Sequence, residues 1–256
     1  MDVDLYWESL IRLFGFKQDG FGDWVFTGQG LIVVFETVFL SLAIGFVLAL
    51  GIAFMRVSKN IVLRGFGTFY VSLFRGTPLL IQMFLIYYGL GQFEFVRESW
   101  AWTFLKDAYF CAILGLSLNT AAYGGEIIRG GLQSVPFGQI EAAKSLGMSR
   151  SKIFRRITFP IAMRQALPGY GNEIVLMVSA TSIASTITIM DLTGVAGKIG
   201  AETFDKISPL LAAATLYLII NIILTQLVKR LEHRLSGHLR RAEISKTAVQ
   251  TPILAR

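Results

Sequence analysis

Four charged side chains stand within or at the edges of long apolar runs: Glu36, Arg75, Glu126 and Glu173. A charge in such surroundings is expensive and normally faces a protein interior or a water-filled path. Glu36 marks the outer end of the first run, Arg75 is the most deeply placed by sequence count, Glu126 lies at the inner end of the third run and Glu173 at the inner start of the fourth. Arg75 therefore calls for a partner, which either Glu126 or Glu173 is expected to supply, as a structural ion pair or as part of a substrate contact. Asn119 and Tyr123 are four apart and share one helix face, where they offer hydrogen bonds to a polar solute. Ser179, Ser182 and Ser185 recur every three residues with Thr181, Thr186 and Thr188 beside them. Such a hydroxyl stripe either lines a path or lets helices approach closely. If the face of Asn119 and Tyr123 meets that of Ser179 and Ser182, the two enclose a polar chamber.

Other chemistries lack their residues. Cys111 is the single cysteine, so neither a disulfide nor a thiolate metal site can be built. His233 and His238 are five apart in a basic tail with no carboxylate cluster, which is poor metal-ligand spacing. Gly197-Lys198 is followed by Ile199 and lacks the upstream glycine of a phosphate-binding loop. No catalytic residue, metal ligand or resident cofactor is expected on this chain.

The elements that must hold these side chains follow from composition. Hydrophobic residues make up 54% of the 256 and charged ones 16%, against roughly 25% charged in an ordinary soluble domain. Five charge-free cores, Thr37–Met55, Gly76–Phe93, Ala108–Gly125, Ile174–Met190 and Ile207–Val228, have 17 to 22 residues each, in the range of about 17–25 that crosses a bilayer. Lys and Arg collect on the cytoplasmic side of short loops. The head, the loop Arg56–Arg64 and the four later segments between and after the cores carry 2, 3, 2, 7, 2 and 7 basic residues in order, an alternation that places the N-terminus outside and the C-terminus inside. The net charge of +7 is thereby explained by loops facing lipid headgroups, without nucleic acid. Residues 1–29 form an external head with five acidic residues against Arg12 and Lys17, so no cleaved signal is expected. Within it Leu5–Phe16 is either an amphipathic helix in the headgroup layer or a loosely ordered terminus. Residues 30–231 form one membrane domain, and 232–256 a basic cytoplasmic tail.

The third connection, about 40 residues long by its apolar boundaries, exceeds an ordinary turn. Ser134 and Pro136 predict a helix start, Gly147 a left-handed cap that ends this helix, Ser149 the cap of the next, and Pro160 its close. Glu141-Ala142-Ala143 precedes Gly147 by three residues, and nine further residues lead to Ile157 and Phe159-Pro160. Small residues and a glycine turn suit a short rigid knob in close backbone contact with a second protein, and Glu141 can pair with an arginine or cap donors there.

This spacing resembles the EAA loop of ABC importer permeases, with Phe159 at a position where that family usually has Leu. The resemblance extends from residue 30 to residue 231. Arg75-Gly76-Thr77-Pro78-Leu79-Leu80, Asn119-Thr120-Ala121-Ala122-Tyr123 with Glu126-Ile127-Ile128-Arg129-Gly130, and Ala180–Ser185 followed by Asp191-Leu192-Thr193-Gly194 are similar to polar amino acid permeases, M-type subunits of histidine, lysine-arginine-ornithine and opine importers. The resemblance implies an all-α polytopic fold of five transmembrane helices, the ABC type I importer permease fold, in the bacterial inner membrane. It also implies that Glu141, Ala142, Ala143 and Gly147 dock on an ABC ATPase. Two ATPase copies holding ATP and Mg, a second permease subunit and a periplasmic amino acid-binding protein would complete the importer. The alternative is an ion-coupled carrier or channel acting without an ATPase, with Arg75, Glu126 and Glu173 as its ion-handling residues.

Overall fold

The computed structural model describes residues 2–18 and 24–250, with side chains through Arg234 except at 18 and 24; Asp19 and Asp23 of the head, the His238 side chain and the last residues of the tail lie outside what is described. The chain is built almost wholly of helices. α1 (Val3–Leu13) starts at Asp2, whose carboxylate accepts from the N–H groups of Asp4 and Leu5. A small antiparallel hairpin, β1 (Phe16–Gln18) and β2 (Trp24–Phe26), follows, a departure from the expected all-α chain. α2 (Leu31–Val57) and α3 (Ile61–Gly76) are separated by a short turn, where the Asn60 side chain caps Val62 and Leu63. α4 (Leu79–Phe84) continues through a π-helical turn (Leu85–Gly89) and a 3-10 turn (Leu90–Gln92). Two single-turn helices, α5 (Glu94–Arg97) and α6 (Trp102–Leu105), lead to α7 (Ala108–Gln133).

The second half begins with α8 (Phe137–Ser145) and α9 (Arg150–Ile153), a π-helical stretch (Phe154–Thr158), α10 (Phe159–Ala180) and a 3-10 stretch (Thr181–Ile187). It ends with α11 (Leu192–Thr203) and α12 (Ile207–Gln250). Asp205 starts α12 by accepting from the N–H groups of Ile207 (2.9 Å) and Ser208 (3.2 Å) and the Ser208 hydroxyl (2.6 Å). Those donors hold its carboxyl below the usual carboxylate range.

α2, α7 and α12 are each long and apolar enough to cross a membrane, and the count reaches five if two bent pairs are each one span. The first pair, α3 with the arm 79–92, turns through 104°, so the expected second span Gly76–Phe93 is one arm of an elbow. The second pair, 150–187 with α11, bends by 46°, and the expected span Ile174–Met190 is the far end of a much longer helical path. Pro160 does not close a helix: the π-helical turn before it takes up the hydrogen-bond register that a residue with no N–H cannot continue. Ser134 ends α7, donating to the Gly131 carbonyl, and α8 starts at Pro136.

α2 and α7 form the central pair, and α10 packs between α7 and α12. That layering needs close approach. A methyl at Gly131 would strike the Ala162 carbonyl, and one at Gly171 would strike Val228. The core of Val34, Met83, Leu116, Met177, Leu192 and Ile199 runs along this stack. Large apolar side chains such as Phe39, Val47, Leu218 and Ile222 point outward from α2 and α12, as lipid-facing residues do. α1 packs on α12 and α11, where Tyr6 donates to Thr215 (3.1 Å) and Arg12 pairs with Glu202 (2.6 Å).

Candidate functional site

A cavity of about 210 Å³ lies between α7 and α10 and is lined by Leu116, Asn119, Thr120, Tyr123, Glu173, Leu176, Met177 and Ala180. Its position follows from helical repeat: Leu116, Asn119, Thr120 and Tyr123 lie on one face of α7, and Glu173, Met177 and Ala180 on one face of α10. Glu173 is buried, and among the described residues its one side-chain hydrogen bond is a long one from the Thr120 hydroxyl, 3.4 Å. A buried carboxyl so lightly partnered gains a charge-assisted bond when a cationic group reaches it. Asn119 donates from Nδ2 to Oε1 of Gln82 (3.1 Å), leaving its carbonyl for a further contact.

Tyr123 lines the cavity, and the Arg75 guanidinium carbon stands 5.1 Å from its ring centroid. The expected ion pair is loosened: Arg75, exposed at the C-terminal end of α3, makes no salt bridge with Glu126 or Glu173 among the described residues, although its charge is near enough to act on the Glu173 carboxyl. Glu126 instead joins the C-terminal ends of α2 and α7, accepting from Arg56 Nη2 (3.1 Å) and from Arg129 Nε (2.9 Å). Both partners had been counted among loop charges, and only the packing of α2 on α7 brings Arg56 to Glu126.

The hydroxyl stripe is corrected as well. Ser179 accepts from Asn221 on α12 (2.9 Å) and does not line the cavity, and Ser182 donates to the Ser179 carbonyl (2.7 Å). Thr181, Ser185 and Thr186 likewise donate to the carbonyls of Val178, Ser182 and Ile183, each at 2.7 Å. The stripe is the backbone chemistry of a 3-10 segment, in which each hydroxyl bonds to the carbonyl three residues back. The expected chamber exists in another register, with Thr120 and Glu173 where Ser179 and Ser182 were predicted.

Gln82 is the residue that sequence reasoning missed. Pro78 has no N–H to give the Phe74 carbonyl, four residues back, and the chain turns there. Gln82 Nε2 supplies the missing donor, lying 2.8 Å from Phe74 O, 3.0 Å from Thr77 O and 2.9 Å from Thr77 Oγ1. A glutamine within an apolar run, four residues after a proline, was the available signal. Asp191 and Gly194 are likewise structural: the carboxylate caps α11 at Gly194 N (2.8 Å) and accepts from the Tyr217 hydroxyl (2.7 Å), and a methyl at Gly194 would strike the Ile189 carbonyl.

The loop between α7 and α10 presents α8 outward. Glu141, Ala142 and Gly147 are exposed, whereas Ala143 is buried and faces inward. Gly147 has φ +73°, and its N–H reaches Lys144 O (2.9 Å) while Met148 N–H reaches Ala143 O (3.1 Å). That is the complete Schellman closure, which satisfies the last carbonyls and turns the chain sharply. Phe137 and Leu146 stand exposed at the two ends of α8. Ser149 occupies the cap position of α9, although its side chain makes no capping bond.

Comparison with known proteins places this geometry. Residues 14–237 match the family of the binding-protein-dependent transport system inner membrane component. The chain is 53% identical over 204 residues to the octopine transport system permease protein OccM of Rhizobium radiobacter, which covers 80% of this chain and 83% of that protein. It is 38% identical over 236 residues to the histidine/lysine/arginine/ornithine transport system permease protein HisM of Escherichia coli K12, covering 92% and 95%. The crystal structure of an amino acid ABC transporter with histidines superposes with a TM-score of 0.72 at 35% identity, over 80% of this chain and 92% of that one.

Proposed function

The chain belongs to the family of binding-protein-dependent transport system inner membrane components, and from that premise we propose how it works as the permease subunit of an ABC importer for amino acids or opines. The substrate is polar and basic, and Asn119, Thr120, Tyr123 and Glu173 meet it on its path. A cationic group at Glu173 replaces lost water contacts with a charge-assisted bond. Arg75, over Tyr123, stands at the rim. ATP and Mg are handled by two copies of a separate ATPase, a second permease completes the membrane part, and a periplasmic binding protein delivers substrate to the outer side. The N-terminus is outside and the C-terminus inside, in line with the alternation of basic residues between the apolar segments.

The observation that carries this reading is a mechanical one. α8, with Glu141, Ala142 and the Gly147 turn exposed, is a rigid knob, and from Arg150 the backbone runs helically without a break to Ile187. The same path carries Glu173 and Met177 in the cavity wall. Movement of the docked knob therefore tilts one wall of the substrate cavity against α7, whose position is fixed by α2. Arg56, Glu126 and Arg129 pin α2 and α7 together at their inner ends and act as positioning residues for this lever. The test is purification of the tagged full chain from its native membrane under mild detergent. An ATPase should accompany it and dissociate when Leu146, which is exposed, is replaced by Asp; recovery of the chain free of any ATPase would overturn the reading.

A further inference from the structure

A second cavity, larger than the first, lies away from the substrate path at the junction of α2, α3, α7 and the π-helical stretch before α10. Its volume is about 490 Å³, and its walls are of two kinds. Arg56, Arg64, Ser58, Gln133 and Thr158 supply donors, whereas Phe54, Val57, Leu132 and Phe154 supply apolar surface. The size lies within the range of about 300–1,000 Å³ usual for small-molecule sites.

Its electrostatics favour an anion. Glu126 is shared between Arg56 and Arg129, and Arg64 has no carboxylate partner among the described residues. Arg56 gives one nitrogen to Thr68 (2.6 Å) and another to Glu126, but its Nε is buried and has no acceptor. Exposed Arg64, together with the two hydroxyls and the amide of the same walls, presents several donors to a ligand with several acceptor oxygens. The apolar half needs something else. Phe54 and Phe154 pack against each other with centroids 5.9 Å apart, and the flank of the cavity continues outward into exposed Val57, Ile61, Val62 and Leu63. A free phosphate would leave these walls unmatched. A molecule with a phosphodiester and attached acyl chains would satisfy both kinds of wall at once.

We propose that this cavity is a binding site for an anionic phospholipid, its phosphodiester against Arg56 and Arg64 and the first carbons of its chains along Phe54, Leu132 and Phe154. Because Phe154 and Thr158 belong to the π-helical turn between the exposed loop and α10, a bound lipid braces the lever at its root. The site is separate from the substrate cavity, so its occupancy does not depend on the identity of the solute carried.

The test uses the purified full chain in detergent, with retained lipid counted by native mass spectrometry after titration with phosphatidylglycerol or phosphatidylethanolamine. Phosphatidylglycerol should be retained preferentially. Arg64→Gln, at an exposed and unpaired position, should weaken that preference about tenfold, as expected for loss of one charge-assisted contact. Leu132→Trp, which fills the apolar half, should weaken it comparably while thermal unfolding shows an intact fold. Arg150→Gln removes a charge from the same basic surface outside the cavity and should leave the preference unchanged. Equal losses in Arg64→Gln and Arg150→Gln would reduce the effect to general surface charge and overturn the proposal. Displacement of the lipid by glycerol 1-phosphate at matched concentration would also overturn it, since the site would then read the phosphate alone.

Discussion

Replacing Gln82 by Met keeps the side chain's length and removes every polar contact it makes. Gln82 is 7% exposed, so water cannot readily take its place. The Phe74 carbonyl is the most affected group, since Pro78 offers no N–H and Gln82 Nε2 at 2.8 Å stands in for it. The Thr77 carbonyl loses a donor at 3.0 Å, while the Thr77 hydroxyl keeps its own bond to Leu73 O at 2.8 Å. Asn119 Nδ2 loses its acceptor but can turn toward the cavity. A buried polar group left without a partner costs about 1–3 kcal/mol, whereas hydrogen bonds between membrane helices average only about 0.6 kcal/mol. The first figure applies to the Phe74 carbonyl, which has no other donor, and the second to Asn119. Together with a small contribution from Thr77, the expected destabilisation is about 2–4 kcal/mol. Equilibrium unfolding in mixed micelles, followed by circular dichroism, measures it. A double variant, Gln82→Met with Pro78→Ala, restores an N–H at position 78 and should recover part of the deficit. A Gln82→Met protein within about 0.5 kcal/mol of the parent would refute the assignment of Gln82 as the clamp of the elbow.

Three further outcomes are expected. Single cysteines at Lys17 and Arg150, both exposed, should differ in labelling by a membrane-impermeant maleimide in cells with a permeabilised outer membrane: position 17 reacts, position 150 does not, and buried Cys111 stays silent; the reverse pattern would invert the topology. Gly147→Trp should leave insertion intact, because a Cβ there meets no atom within 4 Å, yet ATPase copurification and uptake should fall together. Gly147→Ala, which pays only the left-handed backbone penalty of about 1–2 kcal/mol, should retain most of both, and equal loss in the two variants would trace the effect to strain instead of docking. Glu173→Gln should lower uptake of a basic amino acid roughly ten- to hundredfold, the value of a bond of about 1.5–3 kcal/mol to a charged group, while binding-protein-stimulated ATP hydrolysis in the same proteoliposomes continues. Unchanged uptake would remove Glu173 from the path.

Local chemistry determined much of this protein in advance. The runs that became α2, α7 and α12 needed only their length and apolarity, because in lipid a backbone must satisfy its own hydrogen bonds and a helix does so within one segment. Gly147 was legible for a similar reason: a left-handed cap is a property of one residue and its neighbours, and the Schellman bonds close over six residues. The elbow and the lever were not. Pro78 and Pro160 read alike in sequence, yet the first sits at a 104° bend and the second lies within a continuous helix. The difference comes from Gln82 beside one and a π-helical turn before the other, and neither is a property of proline. Charge alone matches Arg75 with Glu126 or Glu173, whereas packing sets Arg75 over Tyr123 and gives Glu126 to Arg56. Even the cavity depended on rotation: turning Glu173, Met177 and Ala180 of α10 inward, in place of Ser179 and Ser182 at its end and in the 3-10 stretch beyond, exchanged a hydroxyl wall for a carboxyl. A helical repeat read from sequence tells which residues share a face, but which face turns inward is set by the close approach of α10 to α7 and α12 at Gly131 and Gly171, and that is decided only when the helices meet.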